Sequence, residues 1–180
     1  MRRLPGVGWL WALPVFVSVA CTVPLEPDPS APTSQVLPAD ARALAFGRTT
    51  GEVLQSADLR DKIRTLFAAD WMPPSGTPAG LTLAAPAYFE RGGPLRMVRI
   101  GRSDYVAVTG CAPTACQTRR GLILILEGGS QLFARLDDGG FSRYYGYGST
   151  NISGDTIGHI VESGLGALKG VADPYPSAGS

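Results

Sequence analysis

Three cysteines, one histidine and an adjacent pair of aspartates are the side chains here whose type and spacing bear on chemistry. Cys111 and Cys116 bracket four residues in Gly110-Cys-Ala-Pro-Thr-Ala-Cys-Gln117. A hairpin brings the ends of such a segment within disulfide reach, and Pro113 removes further freedom by fixing its own φ. Metal binding fits poorly, because two cysteines with no nearby histidine or third cysteine cannot complete a tetrahedral site. Redox catalysis fits poorly too, because the reactive dithiol motif has two intervening residues, not four. A small constrained loop remains. Having little entropy left to lose, it suits recognition by protrusion; equally, its bond can serve only to staple a turn.

The other polar candidates are weaker. Asp137 and Asp138 precede Gly139 and Gly140, which marks a turn rather than an acid–base pair. Arg119 and Arg120 follow the cysteine loop and either steer it toward an acidic partner or open a solvated strand. His159 sits beside Ile160 in an expected helix, where a structural or half-exposed histidine is the default. With a single imidazole and no constellation of acid, base and nucleophile, the sequence does not describe an enzyme, and it implies no cofactor or metal.

These residues must be positioned by a core, and 44% apolar content supplies one. Leu59, Ile63, Leu66 and Phe67 fall at helical spacing, with Ser56 as an N-cap and Trp71-Met-Pro-Pro as the stop. The intervening Arg60, Asp61, Lys62 and Arg64 form a solvated face. Short strands follow at 95–100, 105–109, 121–126 and 131–136, joined by turns too short for crossover helices. The 121–126 run is almost wholly apolar and reads as a central strand covered on both faces. Phe141-Ser-Arg-Tyr-Tyr-Gly-Tyr147 suits a strand with tyrosines packed along one face, or an exposed aromatic surface. Ile157, Ile160, Val161, Leu165 and Leu168 mark a last helix, weakened by Gly164 and Gly166. The expected class is α+β: a central antiparallel meander flanked by helices.

The first twenty residues read as an export signal, with Arg2 and Arg3 ahead of a short apolar stretch from Trp9 to Val19. Removing those two arginines from the 16 bases leaves 14 against 15 acids, a balance that gives no basis for nucleic-acid binding. Ser18-Val19-Ala20 before Cys21 resembles the lipobox of bacterial lipoproteins, with ordinary cleavage after Ala20 as the alternative. Acylation of Cys21 would leave two cysteines to pair, in a compartment where disulfides persist. Thr22 after the cysteine resembles outer-membrane sorting; without the lipid, the chain would be soluble in the periplasm. Residues 21–38 are expected to form a disordered tether, 39–172 the folded domain, and 173–180 a flexible tail.

The segment Gly110-Cys-Ala-Pro-Thr-Ala-Cys-Gln-Thr-Arg-Arg-Gly-Leu-Ile-Leu-Ile, followed by Gly-Gly-Ser-Gln-Leu-Phe-Ala-Arg-Leu-Asp137, is similar to the Ivy family, the inhibitors of vertebrate lysozyme. The resemblance implies a periplasmic α+β protein, often a homodimer, that inserts the loop from Cys111 to Cys116 into the cleft of a peptidoglycan-cleaving enzyme. Such clefts carry two carboxyl groups that a loop bearing hydrogen-bond donors can occupy. The family's usual loop, Cys-Lys-Pro-His-Asp-Cys, keeps its cysteines and Pro113 here, while Ala112, Thr114 and Ala115 replace the polar positions. Loss of one charge-assisted hydrogen bond, worth about 1.5–3 kcal/mol, weakens binding roughly ten- to a hundredfold. A non-inhibitory envelope lipoprotein, acting as a structural or protein-interaction module, is the alternative.

Overall fold

The computed structural model describes residues 33–38, 40–73, 81–148 and 152–176. The expected signal segment, Cys21 and most of the tether lie outside them. Seven strands form one antiparallel sheet: β1 (Ser34–Val36), β2 (Arg91–Gly92), β3 (Arg96–Ile100), β4 (Ser103–Cys111), β5 (Arg119–Leu126), β6 (Leu132–Asp138) and β7 (Phe141–Tyr147). The spatial order is β1-β3-β4-β5-β6-β7, and β2 pairs with the far end of β4. From β3 onward the strands form the expected meander of successive antiparallel neighbours.

Strand alternation sends successive side chains to opposite faces, so β5, at the centre, is buried on both. Ile123 and Ile125 enter one core with Val106, Val108, Ala134 and Leu136. Leu122 and Leu124 enter a second with Val98, Ala107 and Phe133. The first core is closed by α1 (Thr50–Gln55), α2 (Arg60–Phe67) and a 3-10 turn at Ala85–Phe89, through Val53, Leu59, Ile63, Phe67, Tyr88 and Phe89. The second is closed by α3 (Gly154–Lys169) through Val161, Leu165 and Leu168. Ser153 caps α3 by accepting the Thr156 N–H. Gly164 does more than weaken this helix: a Cβ there would stand 2.8 Å from Leu124 Cδ1, so its absence sets how closely α3 approaches the sheet.

Four boundaries differ from the sequence expectations. The tether ends before Ser34, because β1 pairs with β3, bringing Val36 opposite Val98 at the edge of the second core. The helix expected from Ser56 is α2, which begins only at Arg60 after a turn in which Ser56 O accepts from Leu59 N and Arg60 N; a separate α1, capped by Thr49, precedes it and was not expected. Moreover, α2 stops at Phe67, before the prolines, because Ala68 takes φ +46°. The tail, expected to fray from Asp173, remains packed through Pro176: Tyr175 is 6% exposed and lies in the second core. A large aromatic ring gains enough from burial to dock so short a segment.

Candidate functional site

The cysteine loop joins β4 to β5 at one end of the sheet. Cys111 and Cys116 form a disulfide with their Cα atoms 4.9 Å apart. Both cysteines and Ala112 are buried; Pro113 and Thr114 are exposed and Ala115 is half-buried. The base of the loop is closed by Ala112 N donating to Arg119 O at 3.0 Å. Within it, Ala115 N donates to Ala112 O at 2.9 Å, and Ala115 O accepts from Thr118 N and Arg119 N. The result is a compact knuckle whose tip presents a proline ring, one hydroxyl and one methyl.

Arg119 and Arg120 point to opposite faces of the sheet, as successive strand residues must. Arg119 Nε donates to Asp138 Oδ1 at 3.0 Å across the β5–β6 pair. Asp138 is 2% exposed, and its other oxygen accepts from Thr82 N, Thr82 Oγ1 and Tyr88 Oη at 2.6–2.7 Å. Burial pushes this carboxyl upward, but the bonds from Thr82, Tyr88 and Arg119 outweigh it and hold the pKa at about 2. Burial, with Asp138 beside it, pushes the Tyr88 hydroxyl up to about 12. Arg120 turns to the other face: Nε donates to Cys116 O at 2.9 Å and Nη2 to Gln117 O at 2.8 Å. Both guanidinium groups, expected as flanking contacts for a partner, are thus engaged in fixing the loop.

The β6–β7 turn stands beside the loop, tied to it by Gly139 N donating to Thr118 O at 3.2 Å. Between them runs an open groove of about 330 Å³, with Gln117, Thr118, Arg120, Arg135, Asp137 and Phe141 among its walls. Phe141 is 45% exposed at its rim. Asp137 and Asp138, expected as turn residues, close β6 just before the Gly139-Gly140 turn and do unlike things. Asp137 accepts from Arg135 Nε and Ser142 Oγ near the surface, while Asp138 is the buried hub.

Of the other aromatic candidates, Tyr145 packs edge-on against Phe67 at 5.0 Å and donates to Asp70. Tyr144 faces α3 and donates to Glu162. β7 is therefore a strand whose tyrosines serve both faces, not one. His159 is exposed on α3. Among the described residues, no group of three or more His, Cys, Asp or Glu side chains could hold a metal ion, and no helix is long and apolar enough to cross a membrane.

Sequence reasoning missed the support of the loop: Thr82, Tyr88, Thr109 and Tyr175. Thr82 and Tyr88 reach Asp138 over 56 and 50 residues, and no local spacing signals such contacts. Tyr175 alone left a trace, as a large ring between two prolines in an otherwise small-residue tail. No family model, curated protein or solved structure matches this chain.

Proposed function

We propose that this protein is an exported, Ivy-like inhibitor that presents the loop from Cys111 to Cys116 to the cleft of lysozyme or another peptidoglycan-cleaving enzyme. The observation that carries the proposal is the knuckle itself. Its cysteines are buried and bonded, its base is held by two arginines on opposite faces, and only Pro113, Thr114 and part of Ala115 face outward. Such a tip binds without first having to be ordered. Its location on an antiparallel meander with helices on both faces supports the same reading, as does the leader-like N-terminus, with Cys21 as the lipid attachment point. In this reading the partner is a protein, with the membrane reached only through the lipid, and neither cofactor nor nucleic acid takes part.

The chemistry of the tip limits the mode of binding. Thr114 offers one hydroxyl to a carboxyl in the cleft, and no cation stands at the tip. Inhibition by this loop is therefore by shape and one neutral hydrogen bond, worth about 0.5–1.5 kcal/mol. The same observation favours a second reading, in which the loop docks to an envelope protein whose site is apolar and the chain inhibits nothing.

A cell-wall clearing assay separates the two. The chain from Thr22 to Ser180, with its disulfide formed, is added in micromolar excess to lysozyme and to a lytic transglycosylase. The inhibitor reading predicts slowed clearing by at least one enzyme, with Pro113→Gly and Thr114→Ala each losing potency. Undiminished clearing by both would leave the interaction module; inhibition unchanged in both variants would remove the loop from the mechanism.

A further inference from the structure

Arg120 differs from its neighbour Arg119 in what it holds. Its bonds go to Cys116 O, Gln117 O and the Gln117 side-chain oxygen, and its guanidinium lies over the Tyr175 ring at 5.0 Å. None of these partners is a carboxylate. An arginine gripping two loop carbonyls is only as fixed as its own side chain, and the ring beneath it supplies the fixed surface. Tyr175 is itself held. Its ring is buried in the core that contains Leu122 and Leu168, its N–H donates to Asp173 Oδ1 at 3.1 Å, and Thr109 Oγ1 donates to the preceding Pro174 O at 2.7 Å. Thr109 belongs to β4, two residues before Cys111. The segment is thus fastened to the strand that enters the loop and, through Arg120, to the strand that leaves it.

We propose that residues 173–176 form a strap that positions the disulfide loop, with Tyr175 as the positioning residue acting through Arg120. The disulfide closes the loop, and backbone bonds tie Thr118 and Arg119 to Ala115 and Gly139 to Thr118. Arg120 adds a grip on the Cys116 and Gln117 carbonyls between those ties, and Tyr175 keeps Arg120 in the rotamer that reaches them. The inference rests on the proposed docking role only for what the loop is held ready to do. The strap itself is a property of the free protein.

The experiment therefore contains no partner. Amide hydrogen exchange is followed by NMR in the oxidised chain at Ala112, Ala115, Thr118 and Arg119, with Leu122 and Leu124 as references in the central strand. Variants are Tyr175→Ala, Tyr175→Phe, Arg120→Ala and the double variant Arg120→Ala/Tyr175→Ala. Loss of the ring should speed exchange at the loop amides roughly tenfold while the references hold their rates. Tyr175→Phe, which keeps the ring, should restore the parent rates. Once Arg120 is gone, removing Tyr175 should add little, because the two act as one unit. Parent rates at the loop in Tyr175→Ala, acceleration of the references to the same degree, or independent additive effects would each overturn the strap. Failure of the clearing assay would overturn the inhibitor reading and leave the strap untouched, so the two are distinguishable.

Discussion

Asp138 shows how much of this site is decided by single contacts. Its carboxylate is nearly inaccessible, yet it holds the guanidinium that begins β5 and the hydroxyl of a fully buried tyrosine. Asp138→Asn removes the charge while keeping the shape, and it leaves Arg119 without its counter-ion. A loss of about 3 kcal/mol in a denaturant titration is expected. The pH dependence follows the same carboxyl. Its folded pKa of about 2 lies below its ordinary 3.8, so the stability it contributes is present above 3.8 and is lost as pH falls through about 2. Asp104 behaves alike: its bond from Arg99, helped by Arg42 against the cost of burial, holds it at about 2. Acid unfolding followed by circular dichroism should accordingly begin below about pH 4, and the Asp138→Asn variant should show a shallower slope there. The sequence showed Asp138 as an acid beside two glycines. Its four donors come from three separated segments, which is why spacing could not reveal its role.

At the scale of elements, the strands were legible and the helix ends were not. A run such as Leu122-Ile-Leu-Ile125 has one good solution, burial on both faces between neighbouring strands, and the structure adopts it. Thr50–Gln55 has only Val53 and Leu54 as large apolar residues, too few to show a helical period, so α1 was invisible and its neighbour seemed to start early. The left-handed turn at Ala68 had no signal because glycine is the residue that normally marks such a position. Ala68→Gly should relieve that backbone and raise stability by about 1 kcal/mol, measurable as a higher denaturation midpoint. The disulfide acts on a short closed loop, so Cys111→Ala with Cys116→Ala should cost only about 2 kcal/mol. The far-ultraviolet spectrum of that double variant should remain that of the parent, since neither core includes the loop tip. Collapse of the sheet would show that the loop is a folding element rather than an appendage.

At the largest scale, the described residues form one sheet with helices on both faces and a loop at one end that does not contribute its tip to either core. That division of labour was visible in the sequence in outline: closely spaced strands, two helical stretches and one cysteine pair. What stayed hidden was the closure at the chain ends. β1 and the Tyr175 segment lie outside the expected 39–172 domain, yet one extends the sheet and the other lies under the loop. Both were hidden by their company, since prolines and small polar residues surround them. A fragment cut at 39 and 172 would lose both, so tests of function belong on a chain that includes residues 33–176.

In the proposed function, the knuckle between Cys111 and Cys116 is the surface that would meet a peptidoglycan-cleaving enzyme. Titration of the isotopically labelled chain with a catalytically inactive lysozyme, followed by backbone NMR, tests it most directly. Shifts are expected only at Ala112, Thr114 and Ala115 and at the neighbouring turn, Gly139–Phe141. Absence of shifts at millimolar enzyme, or shifts centred on the exposed faces of α2 or α3 with the loop silent, would contradict it.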